Sequence, residues 1–328
     1  MGQPLEIGAP HDLLALPAKQ CPEVSFQAWD TSVKGITKLL EAKQQRVIEV
    51  AELADLNAWA PAGEITTVIA DHELMPAELF AANLPPHQWG AGIGLLTAWA
   101  GWDYARALAL FTLPKNEFTQ AVRDLIITVR KNLRGRRLQV LGLSERPLLG
   151  ADSVLTMTPA AFPINTLASE DLVRLTLFFQ AAKDFLLSES ILEPVSPVER
   201  DWNPARADGS GVGFGVGALP QLVQGFRGRA LEAFAFSARL ETQVTSETLM
   251  VAVVPQLHPQ TVATSVLGIL KDLTAASGAA LIVFTEEASL SKHELFEWNV
   301  TACYGGQRKP LTVEDAARIL TQTWLRPR

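Results

Sequence analysis

The sequence is poor in the residues that build disulfide frameworks and metal centres. Its 328 residues include only two cysteines, Cys21 and Cys303. Two are too few for a disulfide framework or a cysteine-rich zinc site, and such scarcity fits a reducing cytoplasm. None of the five histidines stands in an HxH or HExxH arrangement. We therefore expect no metal site, and we expect a cytoplasmic protein.

Clustered positive charge and long apolar runs are also scarce. The net charge of -7 argues against a general nucleic-acid binder, because such proteins displace counterions from phosphates with many lysines and arginines. The one basic run, residues 130–137, is typical of a solvated helix end. No apolar run approaches the roughly 20 residues that span a bilayer, and no signal-peptide pattern is visible at the N-terminus. We therefore expect neither a nucleic-acid partner nor a membrane partner.

Glycine-rich nucleotide motifs are missing, although the chain has one glycine-rich stretch. Residues 209–217 read GSGVGFGVG, which fits neither GxGxxG nor GxxxxGK[ST]. Two interpretations follow. The glycines form a flexible hinge, or their backbone N–H groups bind an anion, with Gly211, Gly213 and Gly215 as the cofactor-binding candidates. The hinge is the favoured interpretation.

Strand and helix patterns alternate along most of the chain. The predicted strands are 46–53, 64–74, 136–144, 152–159, 231–241, 247–255 and 280–287. The predicted helices are 32–45, 75–86, 101–111, 115–133, 167–190, 258–277, 292–303 and 312–324. This order predicts an α/β (or α+β) fold of mixed sheets with helices on their faces, divided into two domains.

Proline and glycine suggest where the domains meet. Residues 1–28 form an irregular lead-in that four prolines interrupt. An N-terminal α/β domain is predicted over 29–192 and a C-terminal α/β domain over 218–328. The stretch between them, 193–217, is rich in Pro, Asp and Gly and is predicted to be a linker.

Acidic and basic side chains gather in the same stretch. Residues 199–208, ERDWNPARAD, combine three acids with two arginines. Proton-transfer sites use such pairs because the neighbouring charge sets the pKa of the acid. The catalytic candidates are Glu199, Asp201, Arg206 and Asp208. An ordinary exposed loop with surface ion pairs has the same composition and is the favoured interpretation.

Two acid groups follow predicted strands, where ligands bind in open α/β sheets. The first is Asp71, His72 and Glu73, for which a turn or helix cap is favoured. The second is the pair Glu286 and Glu287, which is either a catalytic acid pair or the solvated end of a structural strand.

A family resemblance favours the solvated strand end. Residues 249–298 combine a strand, a helix beginning near His258-Pro259, an apolar strand ending in the two glutamates, and a helix with Trp298. This order resembles the C-terminal domain of the UbiD family, the prenylated-flavin-dependent decarboxylases, which have Tyr-Pro in place of His258-Pro259. Residues 36–50 are similar to that family's opening helix and strand.

The resemblance implies a decarboxylase that acts on an unsaturated or aromatic carboxylic acid, with prenylated FMN as cofactor. It also implies a homo- or hetero-oligomer built through the C-terminal domain. Counterparts of the family's YR and PFGE segments are missing from the sequence, and neither tyrosine, Tyr104 or Tyr304, precedes an arginine. A second hypothesis is therefore a non-catalytic UbiD-like subunit, or pseudoenzyme, that assembles with a partner. A third is a degenerate nucleotide-binding protein without a P-loop.

Overall fold

The computed structural model describes residues 17–21, 23–71, 92–155, 169–189, 203–259, 262, 265–305 and 311–325. By Cα proximity the chain divides into two units. The central unit is Leu40–Ala233, and the terminal unit joins Met1–Leu39 with Phe234–Arg328.

A four-stranded parallel sheet organises the central unit. Its strands lie in the order β1-β2-β3-β4, and all three pairings are parallel. The strands are β1 (Arg46–Ile48), β2 (Ile65–Ala70), β3 (Arg137–Gly142) and β4 (Phe226–Arg229). The inner strands are largely buried, because helices cover both faces of most parallel sheets.

Helices lie between β2 and β3 and between β3 and β4 along the chain, and one helix precedes β1. They are α1 (Val33–Ala42), α2 (Ile93–Trp99), α3 (Tyr104–Leu110), α4 (Lys115–Leu133), α5 (Ser169–Glu189) and α6 (Leu219–Leu222). Helix α4 buries Phe118, Val122, Leu125, Val129 and other apolar residues at helical spacing. It ends where Arg134 takes a left-handed conformation with φ of 50°.

Two tryptophans of the central unit, Trp59 and Trp99, are core residues. Trp59 and Trp99 are 5% and 2% exposed, and their rings meet edge-to-face with centroids 5.3 Å apart. Both indole N–H groups donate to the carbonyl oxygen of Leu53, at 3.2 and 2.7 Å. One buried carbonyl thus satisfies two indole donors.

The terminal unit contains a three-stranded parallel sheet in the order β5-β6-β7. Its strands are β5 (Leu249–Leu257), β6 (Ala280–Ala288) and β7 (Ala302–Gly305). Helices α9 (Val266–Ser277), α10 (Lys292–Glu297) and α11 (Val313–Ile319) connect and follow them. Thr312 caps α11, because its hydroxyl accepts the N–H of Asp315 at 3.1 Å.

The predicted strand over residues 231–241 is wrong. The segment forms helices α7 (Ala230–Ser237) and α8 (Leu240–Gln243). Ala230, Phe234 and Ala238 are buried at a spacing of four, which is helical periodicity. Alternating Phe and Ala residues had suggested a strand.

Two smaller predictions also differ from the structure. The predicted helix over 292–303 includes residues 302–303, but they begin strand β7, because α10 ends at Glu297 and Asn299 has a positive φ of 56°. Residues 152–155 form turns instead of the start of a strand. The rest of that segment and the predicted helix over 75–86 lie outside the described residues.

The α/β class is confirmed. Every pairing between described strands is parallel, whereas we expected mixed sheets. Residues 203–217 of the predicted linker lie in the central unit, and most of them are buried. The predicted domain limits at 28/29, 192/193 and 217/218 remain predictions.

Candidate functional site

The strands of the central sheet are parallel, so their carboxyl ends lie at one edge, here called the carboxyl edge. Asp71 follows β2, Ser144 and Glu145 lie just beyond β3, and Arg229 ends β4. Ligands of open α/β sheets bind at this edge.

Residues 203–217, here called the glycine loop, are fixed on the carboxyl edge by backbone hydrogen bonds. The N–H of Gly213 donates to the carbonyl of Asp71 at 2.8 Å. The N–H groups of Gly209 and Gly211 donate to the carbonyls of Glu145 at 2.7 Å and Arg146 at 3.0 Å. The loop thereby holds the segments after β2 and β3 in one arrangement.

A buried polar network supports the glycine loop from inside. The fully buried hydroxyl of Ser210 accepts the N–H of Leu148 at 2.9 Å and donates to the carbonyl of Ala205 at 2.8 Å. That carbonyl also accepts the N–H of Leu149 at 2.8 Å. The side chain of Asn203 accepts the N–H of Ala205 at 2.9 Å. Buried polar groups that are all paired in this way fix a unique backbone.

The glycines are required by close packing. A Cβ on Gly211 would lie 2.6 Å from a methyl group of Val154. A Cβ on Gly217 would lie 2.1 Å from the carbonyl oxygen of Gly209. A buried loop held by such contacts differs from the flexible hinge that we expected. Glycine alternation suits either one, and only tertiary packing distinguishes them.

The predicted cofactor-binding glycines already use their N–H groups within the protein. Gly211 donates to Arg146 and Gly213 to Asp71, as above, while Gly215 donates to the carbonyl of Gly211 at 3.4 Å. A phosphate or flavin at these positions would have to compete with those bonds. Cofactor binding by these three glycines remains a prediction.

The structure describes only part of the predicted catalytic set. Glu199 and Asp201 lie outside the described residues. Arg206 and Asp208 are both exposed on the glycine loop. Asp208 acts electrostatically on Arg227, a residue that the sequence did not single out.

Arg227 lies on β4 and packs against the glycine loop. Its Nη1 donates to the carbonyl of Gly217 at 2.8 Å. Its Cδ and Nε lie 3.3 and 3.5 Å from the position that a Cβ of Gly209 would take, so the absent side chain leaves room for the guanidinium. Burial lowers the pKa of Arg227, and the charge of Asp208 opposes that shift. This is a cation that has lost much of its hydration.

Arg229 lies two residues farther along β4 and therefore on the same face of the sheet. Its guanidinium forms ion pairs with Glu145 at 2.8 Å and Glu232 at 2.9 Å. The two arginines thus differ in their partners. Two carboxylates balance Arg229, whereas Arg227 bonds to a carbonyl and receives only partial compensation from Asp208.

The terminal sheet has acids at its carboxyl edge, but they are exposed. Glu286 and Glu287 lie near the end of β6, and neighbouring residues of a strand point to opposite faces. The amide of Gln256 donates to the carboxylate of Glu287 at 3.3 Å. This geometry matches the solvated end of a strand.

Cysteine and metal chemistry find no support in the described residues. Both cysteines are free thiols, and burial raises the pKa of the Cys303 thiol, which disfavours the nucleophilic thiolate. Within the described ranges no cluster of three His, Cys, Asp or Glu side chains has metal-binding geometry. None of the described helices combines the length and apolarity that crossing a bilayer requires.

Comparison with known proteins does not identify a family. No protein-family model and no curated protein matches the chain. One similar solved structure is described as "putative glycerate kinase 2 from Salmonella typhimurium LT2", with 16% sequence identity and a TM-score of 0.35. The match covers 58% of this chain and 46% of that one.

Proposed function

We propose that the protein binds a nucleotide, or a related phosphorylated small molecule, at the carboxyl edge of the central sheet, without a P-loop. The observation that carries this proposal is Arg227, a half-buried cation packed on the glycine loop at that edge. Among the three hypotheses drawn from the sequence, this geometry favours the nucleotide-binding one.

The physical argument rests on the cost of burying charge. A cation that leaves water without an equal counter-charge is unfavourable, so such a position favours an anion. Arginine matches phosphate with a planar fork of donors and cannot lose its proton at physiological pH. Parallel α/β sheets receive phosphorylated ligands at this edge.

Recognition in this site would differ from recognition by a P-loop. A P-loop holds phosphates with free backbone N–H groups. Here the N–H groups of Gly209, Gly211 and Gly213 donate to carbonyls in the segments after β2 and β3, so these N–H groups are already used and the loop is held rigidly. The ligand would meet the side chain of Arg227.

Calorimetric titration with MgATP, MgGTP and inorganic phosphate tests the proposal. Arg227→Gln should weaken binding about tenfold or more, because hydrogen bonds to charged groups contribute about 1.5–3 kcal/mol. Arg137→Gln is the matched control, since Arg137 is exposed at the opposite end of the same sheet. Equal binding by both variants, or no binding by the native protein, would contradict the proposal.

A second candidate is the UbiD-like protein. In its favour, the terminal unit contains β5, α9, β6 and α10 in the order that the resemblance implies, with Trp298 directly after α10. Glu199, Asp201, Arg206 and Asp208 remain its proposed catalytic residues. A flavin-like absorption band in the purified protein, or calorimetric binding of prenylated FMN, would support it. If the protein does not bind prenylated FMN, the decarboxylase hypothesis fails and only the hypothesis of a non-catalytic, UbiD-like subunit remains.

We also propose a cytoplasmic location and an oligomer formed through the C-terminal part. Two free cysteines fit a reducing compartment. Phe236 and Phe296, both in the terminal unit, are 85% and 82% exposed, so each offers apolar surface that another chain could cover. Light scattering after size exclusion tests the oligomer, and a monomer at micromolar concentration would contradict it.

A further inference from the structure

We propose that the terminal unit binds a second copy of the chain through strand β5, so that the two terminal sheets join into one continuous sheet. The two copies are related by a two-fold axis, and their β5 strands run antiparallel. This inference rests on the oligomer proposed above and names the surface that forms it.

Strand β5 has a free side. It is the outermost strand of the terminal sheet, and among the described strands it pairs with β6 alone. The free side of such a strand presents backbone N–H and C=O groups that can pair with a strand of another chain. Burial agrees with this position, because residues 281–285 of β6 are all buried whereas residues 249–251 and Val253 of β5 are half-buried.

The two faces of β5 are already covered. Leu249, Val251 and Val253 pack in an apolar cluster with α11, and the alternate residues Ala252 and Val254 pack in another with α9. A partner can therefore reach β5 only from the side of its backbone. An extended strand fits such a position, whereas a helix satisfies its own backbone groups and does not.

The other outermost strands of the two sheets are protected against pairing with another chain. Strand β1 has three residues and includes Arg46, and β4 has four residues and includes Arg227 and Arg229. Strand β7 has four residues. Short length and charge are the common devices that prevent such pairing. Strand β5 has nine residues and no charged side chain, so it is the exception among the four.

The charges around β5 favour a second copy as its partner. Residues 249–254 read LMVAVV, so two identical strands bring no like charges face to face. Pairing is expected over these six residues, because Pro255 lacks an N–H group. Glu247 precedes the strand and His258 follows it. Antiparallel pairing therefore brings the acidic end of one copy toward the histidine end of the other.

Sedimentation equilibrium of Val251→Lys tests the proposal. Val251 lies near the middle of residues 249–254, so an antiparallel pair would bring two lysines close to the two-fold axis. Their repulsion should raise the dissociation constant of the dimer about tenfold or more. Val313→Lys is the matched control, because Val313 is half-buried in the same apolar cluster but lies on α11. Val313→Lys should leave the dissociation constant unchanged.

Hydrogen exchange of the native protein gives a second readout that needs no substitution. Alternate residues of a strand direct their N–H groups to opposite sides, so about half of the amides in 249–254 should become protected as dimers form. Residues 282–285 are the internal control, because β6 is paired on both sides within one copy. Their exchange should not depend on protein concentration.

The outcomes separate this inference from the proposed oligomer. A protein that stays monomeric contradicts both. An oligomer that Val251→Lys leaves intact, or in which exchange over 249–254 does not slow with concentration, overturns the inference while the oligomer stands. Protection of 249–254 in the monomer would show that another segment of the same chain covers β5, which also overturns it. If Val251→Lys does not fold, the exchange measurement decides.

Discussion

The two parallel sheets present their carboxyl edges in different ways. In the central sheet a buried loop is bonded to the segments that follow β2 and β3, and Arg227 is half-buried beside that loop. In the terminal sheet the last residues of β6 reach the solvent, and Glu286 and Glu287 are exposed. The hydroxyl of Thr285 lies 2.9 Å from the carbonyl of Glu287 and 3.1 Å from that of Pro255, within the strand pair itself.

The difference shows that parallel topology alone does not define a site. Both sheets bring polar side chains to a common edge, as parallel strands must. Among the residues that the structure describes, the central sheet alone combines that edge with a half-buried charge and a rigid loop. Exposed acids are fully hydrated and gain little from a ligand, whereas a desolvated cation gains a partner.

The largest expected effect comes from adding a methyl group at each edge. In Gly305→Ala the new Cβ would lie 1.7 Å from the carbonyl oxygen of Thr285, at a φ of 111°. In Gly217→Ala it would lie 2.1 Å from the carbonyl oxygen of Gly209. We expect a loss of about 3 kcal/mol or more for Gly305→Ala and about 2–3 kcal/mol for Gly217→Ala, measured by urea unfolding.

Gly63→Ala separates the cost of backbone strain from the cost of steric overlap, both of which act in Gly305→Ala. Gly63 has a φ of 91° with open space around its Cβ position, so only the backbone term applies. Its expected cost is about 1–2 kcal/mol. Equal stability of the Gly63 and Gly305 variants would show that the close approach at the end of β7 is not required.

A moderate effect is expected from Ser210→Ala, which tests whether the glycine loop is fixed. The change removes the acceptor of the Leu148 N–H and one donor to the Ala205 carbonyl, both buried. We expect a loss of about 1–3 kcal/mol in the free energy of unfolding. Ser188→Ala is the control, because Ser188 is exposed and its hydroxyl donates to the carbonyl of Phe185 within its own helix. Losses of equal size would contradict a special role for this network.

Local patterns were enough to predict much of the fold. Helix α4 was predicted with its observed limits, because its apolar spacing is regular and a left-handed residue with a following glycine ends it. Strands β2, β3, β5 and β6 were predicted within a few residues for a similar reason. Residues 231–241 were mispredicted because their Phe and Ala residues fit the period of a strand as well as that of a helix. The buried positions in the structure show the helical period.

The candidate site was predicted only in part. The glycine stretch was noticed, but its pattern does not show how the loop folds. In the structure Val154 excludes a side chain at Gly211, and the carbonyl of Gly209 excludes one at Gly217. Arg227 was missed because FRGR carries no motif and because its partial burial arises from packing against the glycine loop, which sequence patterns do not show. Asp208 was predicted as a site residue because acids and arginines cluster in residues 199–208. Its electrostatic effect on Arg227 is visible only in the structure.

The smallest expected effect lies in β7 of the terminal sheet, where burial raises the pKa of the Cys303 thiol. In the unfolded chain a thiol loses its proton near pH 8.5. Between that pH and the higher pKa of the folded protein, the unfolded state binds fewer protons than the folded state, so stability falls as pH rises. Melting temperatures from about pH 7.5 to about pH 9.5 should therefore decline less in Cys303→Ala than in the native protein. Cys21→Ala keeps Cys303 in place and should retain the native slope. Identical slopes in all three proteins would contradict burial of the Cys303 thiol. Solvent would then reach β7 as it reaches Glu286 and Glu287 at the end of β6.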